Sequence, residues 1–454
     1  MTRALELAEW ALNAARGDAV EAVVQAEQSG FARFAGSEVH QPTLIENKTV
    51  FLRVARGRKV GAAAGNRVDE AGLRDLASRA EAAADAAPED PEFPGLAGPA
   101  APPAVEGYDE RTAALDPEEQ ARLAAAAIDA AGAMPIYGFF TSGTATLAVA
   151  TSNGLEAEHS STDAMAVALA ATDGASGYAE QTAWRVAEID AGTIAREAVE
   201  KAERTRGAVA LEPGSYRAVL ESYAIGELLQ YFAFDAFSGL ALLEERSYLC
   251  GRLGERAFDA QISLADDALD PQGLPKQFDF EGVPKQVVPL VEKGVLRGAV
   301  WDSGSAARAE DSERSTGHAP PPALRRWGPL PFALSLAAGD AESTDELVER
   351  VGEGIYITRL HYLGIVEPRQ GILTGMTRDG TFRIRDGRLA EPLVNLRFTV
   401  AVPDVLADIL GLTRDRKLAN QAAFYDERFA YGTLVPALAT ARFDITGIGG
   451  PPGI

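Results

Sequence analysis

Apolar and polar positions along the chain switch repeatedly between a period near 3.6 and a period of 2, and the switches mark out the elements. The start, MTRALELAEWALNAARG, is an amphipathic helix pattern over residues 1–17, closed by Gly17. Val20 to Gln28 alternates as a half-buried strand does. Phe31 to Gly36 and Thr43 to Val54 predict further strands, and Arg56-Gly57-Arg58 turns the chain into Val60 to Ala64. Helical spacing returns over Asp69 to Ala87 and Pro117 to Gly132, separated by PEDPEFPGLAGPAAPPAVE (residues 88–106), which reads as an extended, solvated connector. Tyr137 to Gly143, Thr144 to Ser152 and Glu156 to Ala171 form a meander with Asn153-Gly154 as its hairpin turn. A helix over Asp190 to Arg204 leads to a domain boundary near Gly207.

The second half opens on LEPGSYRAVLESYAIGELLQYFAFDAFSG, residues 211–239. Pro213-Gly214 turns into a short strand, Tyr216 to Leu220. A helix from Ser222 to Phe237 follows, with Ile225, Leu228, Leu229, Phe232 and Ala236 at helical spacing and Ser222 as its expected N-cap. A helix apolar on most faces belongs between the layers of a core. Further on, two strands join at Lys293-Gly294, and a helix capped by Asp302 or Ser303 comes next. Thr381 to Arg385 and Arg388 to Phe398 alternate around Asp386-Gly387, a two-residue hairpin turn. No period repeats along the chain. The expected fold is α+β in two domains. Residues 1–206 form helices layered on an antiparallel sheet, and residues 207–454 a β-rich, barrel-like domain around a central buried helix.

Composition narrows the function. At 454 residues, 46% hydrophobic and 24% charged, the chain reads as an ordinary globular protein. A net charge of −23 argues against a nucleic-acid partner, which needs clustered Lys and Arg. No run approaches the length of a membrane span, so no membrane partner is expected. Cys250 is the only cysteine, so no disulfide closes within the chain, in keeping with a reducing cytoplasm.

Candidate chemistry is sparse. His40, His159, His318 and His361 are scattered without partners at ligand spacing. His318 sits in a Gly/Pro loop, STGHAPPP (315–322), and reads as a surface residue without a partner acid. Asp266 and Asp267 end a strand, where the bland reading of a solvated strand end or turn cap outweighs a divalent-cation pair. Ser222, Ser238, Ser303 and Ser315 offer hydroxyls but no GxSxG elbow, and a Cys250–His318 dyad rests on single residues alone.

Several stretches resemble the TldD/PmbA family, the peptidase-related proteins once called modulators of DNA gyrase. They are PGSYRAVL with the helix after it, FARFAGSEVHQPTLIENKTVFLRVARGRKVGAAAGN, FDFEGVPKQVVPLVEKGVLRGAVWDSGSAAR (278–308) and RQGILTGMTRDGTFRIRDGRLAEPLVNLRFT (369–399). In the metal-bearing branch the central helix carries HExxxH, two histidines around a general-base glutamate, and a cysteine in the tail completes the site. The corresponding hexapeptide here is Gly226-Glu227-Leu228-Leu229-Gln230-Tyr231, and the tail LVPALATARFDITGIGG (434–450) has no cysteine. Glycine offers no ligand atom, and a neutral phenol is a poor zinc ligand beside imidazole or thiolate.

The resemblance therefore implies a PmbA/TldE-like chain with no zinc of its own. Such a chain pairs with a TldD-type subunit that carries zinc and cuts unfolded peptides. Glu227, Tyr231 and His318 are the expected substrate contacts, and the peptide is held by strand addition. A metal-free homodimer that binds peptides as a scaffold, and a peptide-maturation enzyme with unrecognised catalytic residues, are the alternatives.

Overall fold

A computed structural model describes residues 3–309, 313–420 and 427–453. The N-terminal half is a six-stranded antiparallel sheet clad by helices. Its strands are β1 (Ala19–Ala35), β2 (Glu38–Arg56), β3 (Lys59–Gly65), β4 (Ile136–Thr151), β5 (Glu156–Thr172) and β6 (Ala175–Ala183), in the order β3-β2-β1-β4-β5-β6. The helices are α1 (Ala4–Ala14), α2 (Glu70–Ala86), the single turn α3 (Glu110–Ala113), α4 (Pro117–Ala131) and α5 (Ala191–Arg204). Asp69, Asp116 and Asp190 each accept a backbone N–H three residues on, capping α2, α4 and α5.

Small residues let these layers approach closely. A Cβ added at Gly61 would lie 2.0 Å from the backbone nitrogen of Ala84, so β3 can touch α2 only through a glycine. Alternation along the strands sends Ala22 and Val24 toward α1 and α2, and Val23 to the other face, against Phe278 and Phe280 of the C-terminal half.

The two short strands expected over 20–36 are one strand, β1, continuous because its polar stretch still pairs on both sides with β2 and β4. The expected break at Gly143 is likewise absent, and β4 and β5 pair without interruption from Ile136↔Ala170 to Ala150↔Glu156. The 88–106 connector is without helix or strand, apart from one bridge between Glu89 and Lys59.

The C-terminal half is an eleven-stranded mixed sheet around a central helix, α6 (Ser222–Ala236). Its strands are β7 (Gly214–Leu220), β8 (Leu264–Asp266), β9 (Val288–Glu292), β10 (Val295–Leu296), β11 (Leu334–Leu336), β12 (Gly354–Glu367), β13 (Ile372–Arg385), β14 (Arg388–Pro392), β15 (Leu396–Ala401), β16 (Ile409–Asn420) and β17 (Gly432–Ile448). Neighbours run β17-β15-β13-β12-β7, and β7 pairs again with β17, closing a five-stranded ring. Each strand of the ring is flanked by two others, so the ring itself presents no open edge, while β10, β14 and β16 lie outside it.

The hairpin at Asp386-Gly387 forms with both residues at positive φ (49° and 69°), as a two-residue turn requires. The strand expected to run through to Phe398 breaks at Leu393, whose N–H is taken by the Thr381 carbonyl, and β15 pairs with β13 and β17 instead. Among the described residues no helix is long and apolar enough to cross a membrane.

Candidate functional site

The central helix starts one residue earlier than its sequence suggests. Glu221, not Ser222, occupies the N-cap, and no side chain caps the helix. Serine at the first helical position has its hydroxyl past the point where it can reach the free N–H groups. The Glu221 carboxylate is turned away, accepting from Lys201 Nζ at 2.8 Å and Thr358 Oγ1 at 2.9 Å. Those two bonds tie the start of α6 to α5 and β12.

Gly226 lies where α6 crosses β16 and β17. A Cβ there would sit 2.6 Å from the Ala419 Cβ and 3.4 Å from Val435 Cγ2, so the helix packs at a distance only glycine permits. Glu227, the next residue, is half-buried and points toward the seam between the two halves. Its neighbours come from both sheets. Tyr178 on β6 donates to Glu180 Oε2 at 2.5 Å, and Arg359 on β12 lies over the Tyr178 ring at 4.0 Å with its Nε 3.5 Å from Asp379 Oδ2. Burial and the Glu180 charge push the Glu227 carboxyl up to about 7, against the pull of Arg359. Among the described residues nothing donates a hydrogen bond to it. It stands as an uncommitted carboxyl near its titration point at neutral pH.

Tyr231 follows one turn later, its phenol raised by burial and by Glu227, so it stays neutral. Tyr231 begins a file of rings: Tyr231–Phe234 at 6.4 Å, Phe234–Phe332 at 6.1 Å, then Phe332 to Tyr431 at 4.7 Å and to Phe429 at 5.1 Å. Gln230, which the sequence reading passed over, fixes the file in place. Its Nε2 donates to the Pro331 carbonyl at 2.9 Å, and its Oε1 accepts from Thr433 Oγ1 at 3.0 Å. The signal available was an amide on a helix with no polar face.

His318 is not a surface residue. It is 1% exposed, and it has a partner acid: Nε2 lies 2.8 Å from Asp266 Oδ1 and Nδ1 2.8 Å from Thr316 Oγ1. Burial, with Lys285 close by, holds the imidazole below its ordinary pKa, so the ring is neutral, donating from Nε2 to the Asp266 carboxylate and accepting at Nδ1. Asp266 is therefore no solvated strand end. Its Oδ2 accepts from the Ala333 N–H at 2.9 Å, and the pair braces the segment that carries Phe332. With both nitrogens engaged, His318 presents no atom to a groove in this conformation.

Asp267 does act as a turn cap, accepting from Leu269 N–H. Cys250 faces the Leu242 carbonyl, so it forms no dyad with His318. Asp302, not Ser303, caps the helix Ser303–Arg308. The structure thus gathers Glu227 and Tyr231 and leaves His318 behind the aromatic file.

Three models of one family match the chain: PmbA/TldA metallopeptidase domain 1 over residues 20–84, the central domain over 110–206 and the C-terminal domain over 213–447. The chain belongs to the PmbA/TldA metallopeptidase family. Among curated proteins it is 29% identical over 234 residues to a metalloprotease of Methanothermobacter thermautotrophicus, covering 50% of this chain and 49% of that protein. It is 26% identical over 213 residues to a metalloprotease TldD homolog of Haemophilus influenzae, covering 45% and 42%. The chain thus spans about half the length of the curated relatives it matches. In fold it superposes on TldE from Thermococcus kodakarensis with a TM-score of 0.86 at 19% identity, covering 98% of this chain and 100% of that one.

The family name implies a metal, and the residues of the central helix do not fit one. Position 226 has neither a ligand atom nor space for a side chain, position 231 is a neutral phenol, and the one carboxylate between them shares its corner with the positive Arg359. Among the described residues no three His, Cys, Asp or Glu side chains gather as a metal site does.

Proposed function

We infer that this chain is the non-metal, TldE-like subunit of a two-subunit metalloprotease of the TldD/TldE type, acting on unfolded peptides in the cytoplasm. In that assembly the zinc and the hydrolytic step belong to the TldD-type partner, and this chain shapes the substrate groove. The observation that carries the reading is Gly226. The helix that would hold a metal is instead packed onto β16 and β17 so tightly that a histidine there has no room. The likeness in fold to TldE and the match to a TldD homolog support the same pairing. Glu227 and Tyr231 then serve as peptide contacts. At neutral pH a half-titrated carboxyl beside a neutral phenol can accept from, or donate to, a peptide backbone.

Native mass spectrometry of the purified chain, alone and mixed with an HExxxH-bearing relative from the same cells, tests this. The expected result is a zinc-free chain that leaves unfolded peptides uncut by itself, and a heterodimer with about one zinc that cuts them. A homodimer that ignores the relative shifts the reading to a peptide-binding scaffold. One zinc bound to this chain alone, with peptide cleavage abolished by a chelator, overturns it.

A further inference from the structure

The ring file that starts at Tyr231 ends in a cavity between the two sheets. The cavity measures about 60 Å³ and is continuous with open solvent. Phe278, Phe280, Phe332 and Phe429 wall it, so a planar apolar group finds ring faces and edges around it.

Most polar groups in the lining, such as Asp267, Asp270, Asp279 and Arg428, are held by bonds within the protein, whereas Gln25, His159 and Lys276 keep polar atoms without a partner among the described residues. Gln25 on β1, 5% exposed, donates its Nε2 to the Arg428 carbonyl, which leaves Oε1 buried without a partner among the described residues. His159 on β5 lies in the same cross-strand row, joined through Leu147 on β4, so both side chains project from one face of the sheet. One His159 nitrogen faces the Pro275 carbonyl, while Nε2 is buried without a partner among the described residues. Burial, with Lys276 close by, lowers this imidazole to about 4, so Nε2 is a bare acceptor at neutral pH. Across from them Lys276 holds its ammonium 5.4 Å from the Phe429 ring centre and makes no ion pair among the described residues.

Two acceptors lacking a donor, one donor lacking an acceptor and an aromatic wall specify a ligand. It must be flat and apolar, and it must end in a group that donates and accepts at once. A phenol does this, its O–H donating toward His159 Nε2 or Gln25 Oε1 and its oxygen accepting from Lys276. Benzyl groups satisfy none of the three, and an indole N–H satisfies only an acceptor. The geometry points to a phenol-binding subsite at this cavity, built by Gln25, His159 and Lys276 and selecting tyrosine over phenylalanine and tryptophan. Only the step from a free phenol to a tyrosine within a peptide rests on the peptide-binding reading above.

Calorimetric titration of the full-length protein with N-acetyl-tyrosinamide and N-acetyl-phenylalaninamide tests the assignment. A site built around a hydroxyl rejects the analogue that lacks it, so tyrosinamide should bind at least about tenfold more tightly. Lys276→Met, which keeps the stem and removes the charge, should shrink that preference to about twofold or less. Should that variant misfold, the native protein decides the matter. Tyrosinamide should slow acetylation of Lys276, read by peptide mapping after a pulse of acetic anhydride, and phenylalaninamide should not. Equal affinity for the two amides, no saturable binding of either, or unchanged Lys276 labelling overturns the proposal. Neither readout involves zinc or peptide cleavage, so the subsite and the subunit reading fail separately.

Discussion

Two buried ionic clusters stitch the N-terminal sheet to the C-terminal half, and they are built on opposite principles. At one, Arg428 is 1% exposed and fully committed. Its Nε and Nη2 take both oxygens of Asp163 at 2.8 and 2.5 Å, Nη1 reaches Ser29 and Thr141, and its backbone N–H donates to Glu27 at 2.7 Å. At the other, Glu227 shares a corner with Glu180 and Arg359, yet no described group donates to its carboxyl. The first cluster has the bidentate, saturated geometry of a structural tie. The second leaves a perturbed carboxyl unspent, which is how sites that receive something from outside are built.

The largest break in this comparison comes from Arg428→Met. Removing the guanidinium leaves Asp163 buried without compensation, while Glu27 keeps the backbone N–H of residue 428, and a cost of about 3–5 kcal/mol is expected in denaturant unfolding. An unchanged midpoint would mean that the tie is ornamental.

At the other cluster the sign reverses. The Glu227 pKa stands near 7 in the folded chain against an ordinary 4.5, so the folded state binds the extra proton. Stability from this group is fully present below about pH 4.5, falls as pH rises through the window up to 7, and is lost above it. Glu227→Gln should therefore be close to neutral at pH 4.5 and stabilising by about 3 kcal/mol at pH 8, on the order of 1.4 kcal/mol per pKa unit. Melting curves at the two pH values check it, and a variant less stable at pH 8 would refute the unspent carboxyl.

Gly226→Ala sharpens the contrast by testing the packing beneath Glu227. Overpacking against Ala419 should cost about 1–3 kcal/mol, more than the helix-propensity gain of up to about 1 kcal/mol. A more stable protein would show that the helix has slack and that a histidine could be housed there.

What the sequence disclosed follows the range of the interactions. Asn153-Gly154, Asp386-Gly387 and the α4 start at Pro117 are settled by neighbours a few residues away, and each stands as the pattern implies. Strand continuity was harder, because the polar middle of β1 is sustained by partners on either side and not by its own alternation. His318 and Asp266 are separated by 52 residues, and a loop histidine carries no local mark of a buried acid brought to it by the fold. The cavity formed by Gln25, His159 and Lys276 was invisible for the same reason, since it exists only where two sheets meet.

The ring closed by β7 and β17 also sets an order in time. Leu220 pairs with Leu438, so the strand that leads into α6 leaves the ribosome roughly 220 residues before the strand that seals it. At the usual pace of synthesis that interval is about 10–45 s. Through it the apolar flanks of the helix bearing Glu227 have no barrel to enclose them. The nascent chain must be shielded during the wait, and its dependence on chaperones should be set by the slowness of translation through residues 221–437, not by the strength of the finished core.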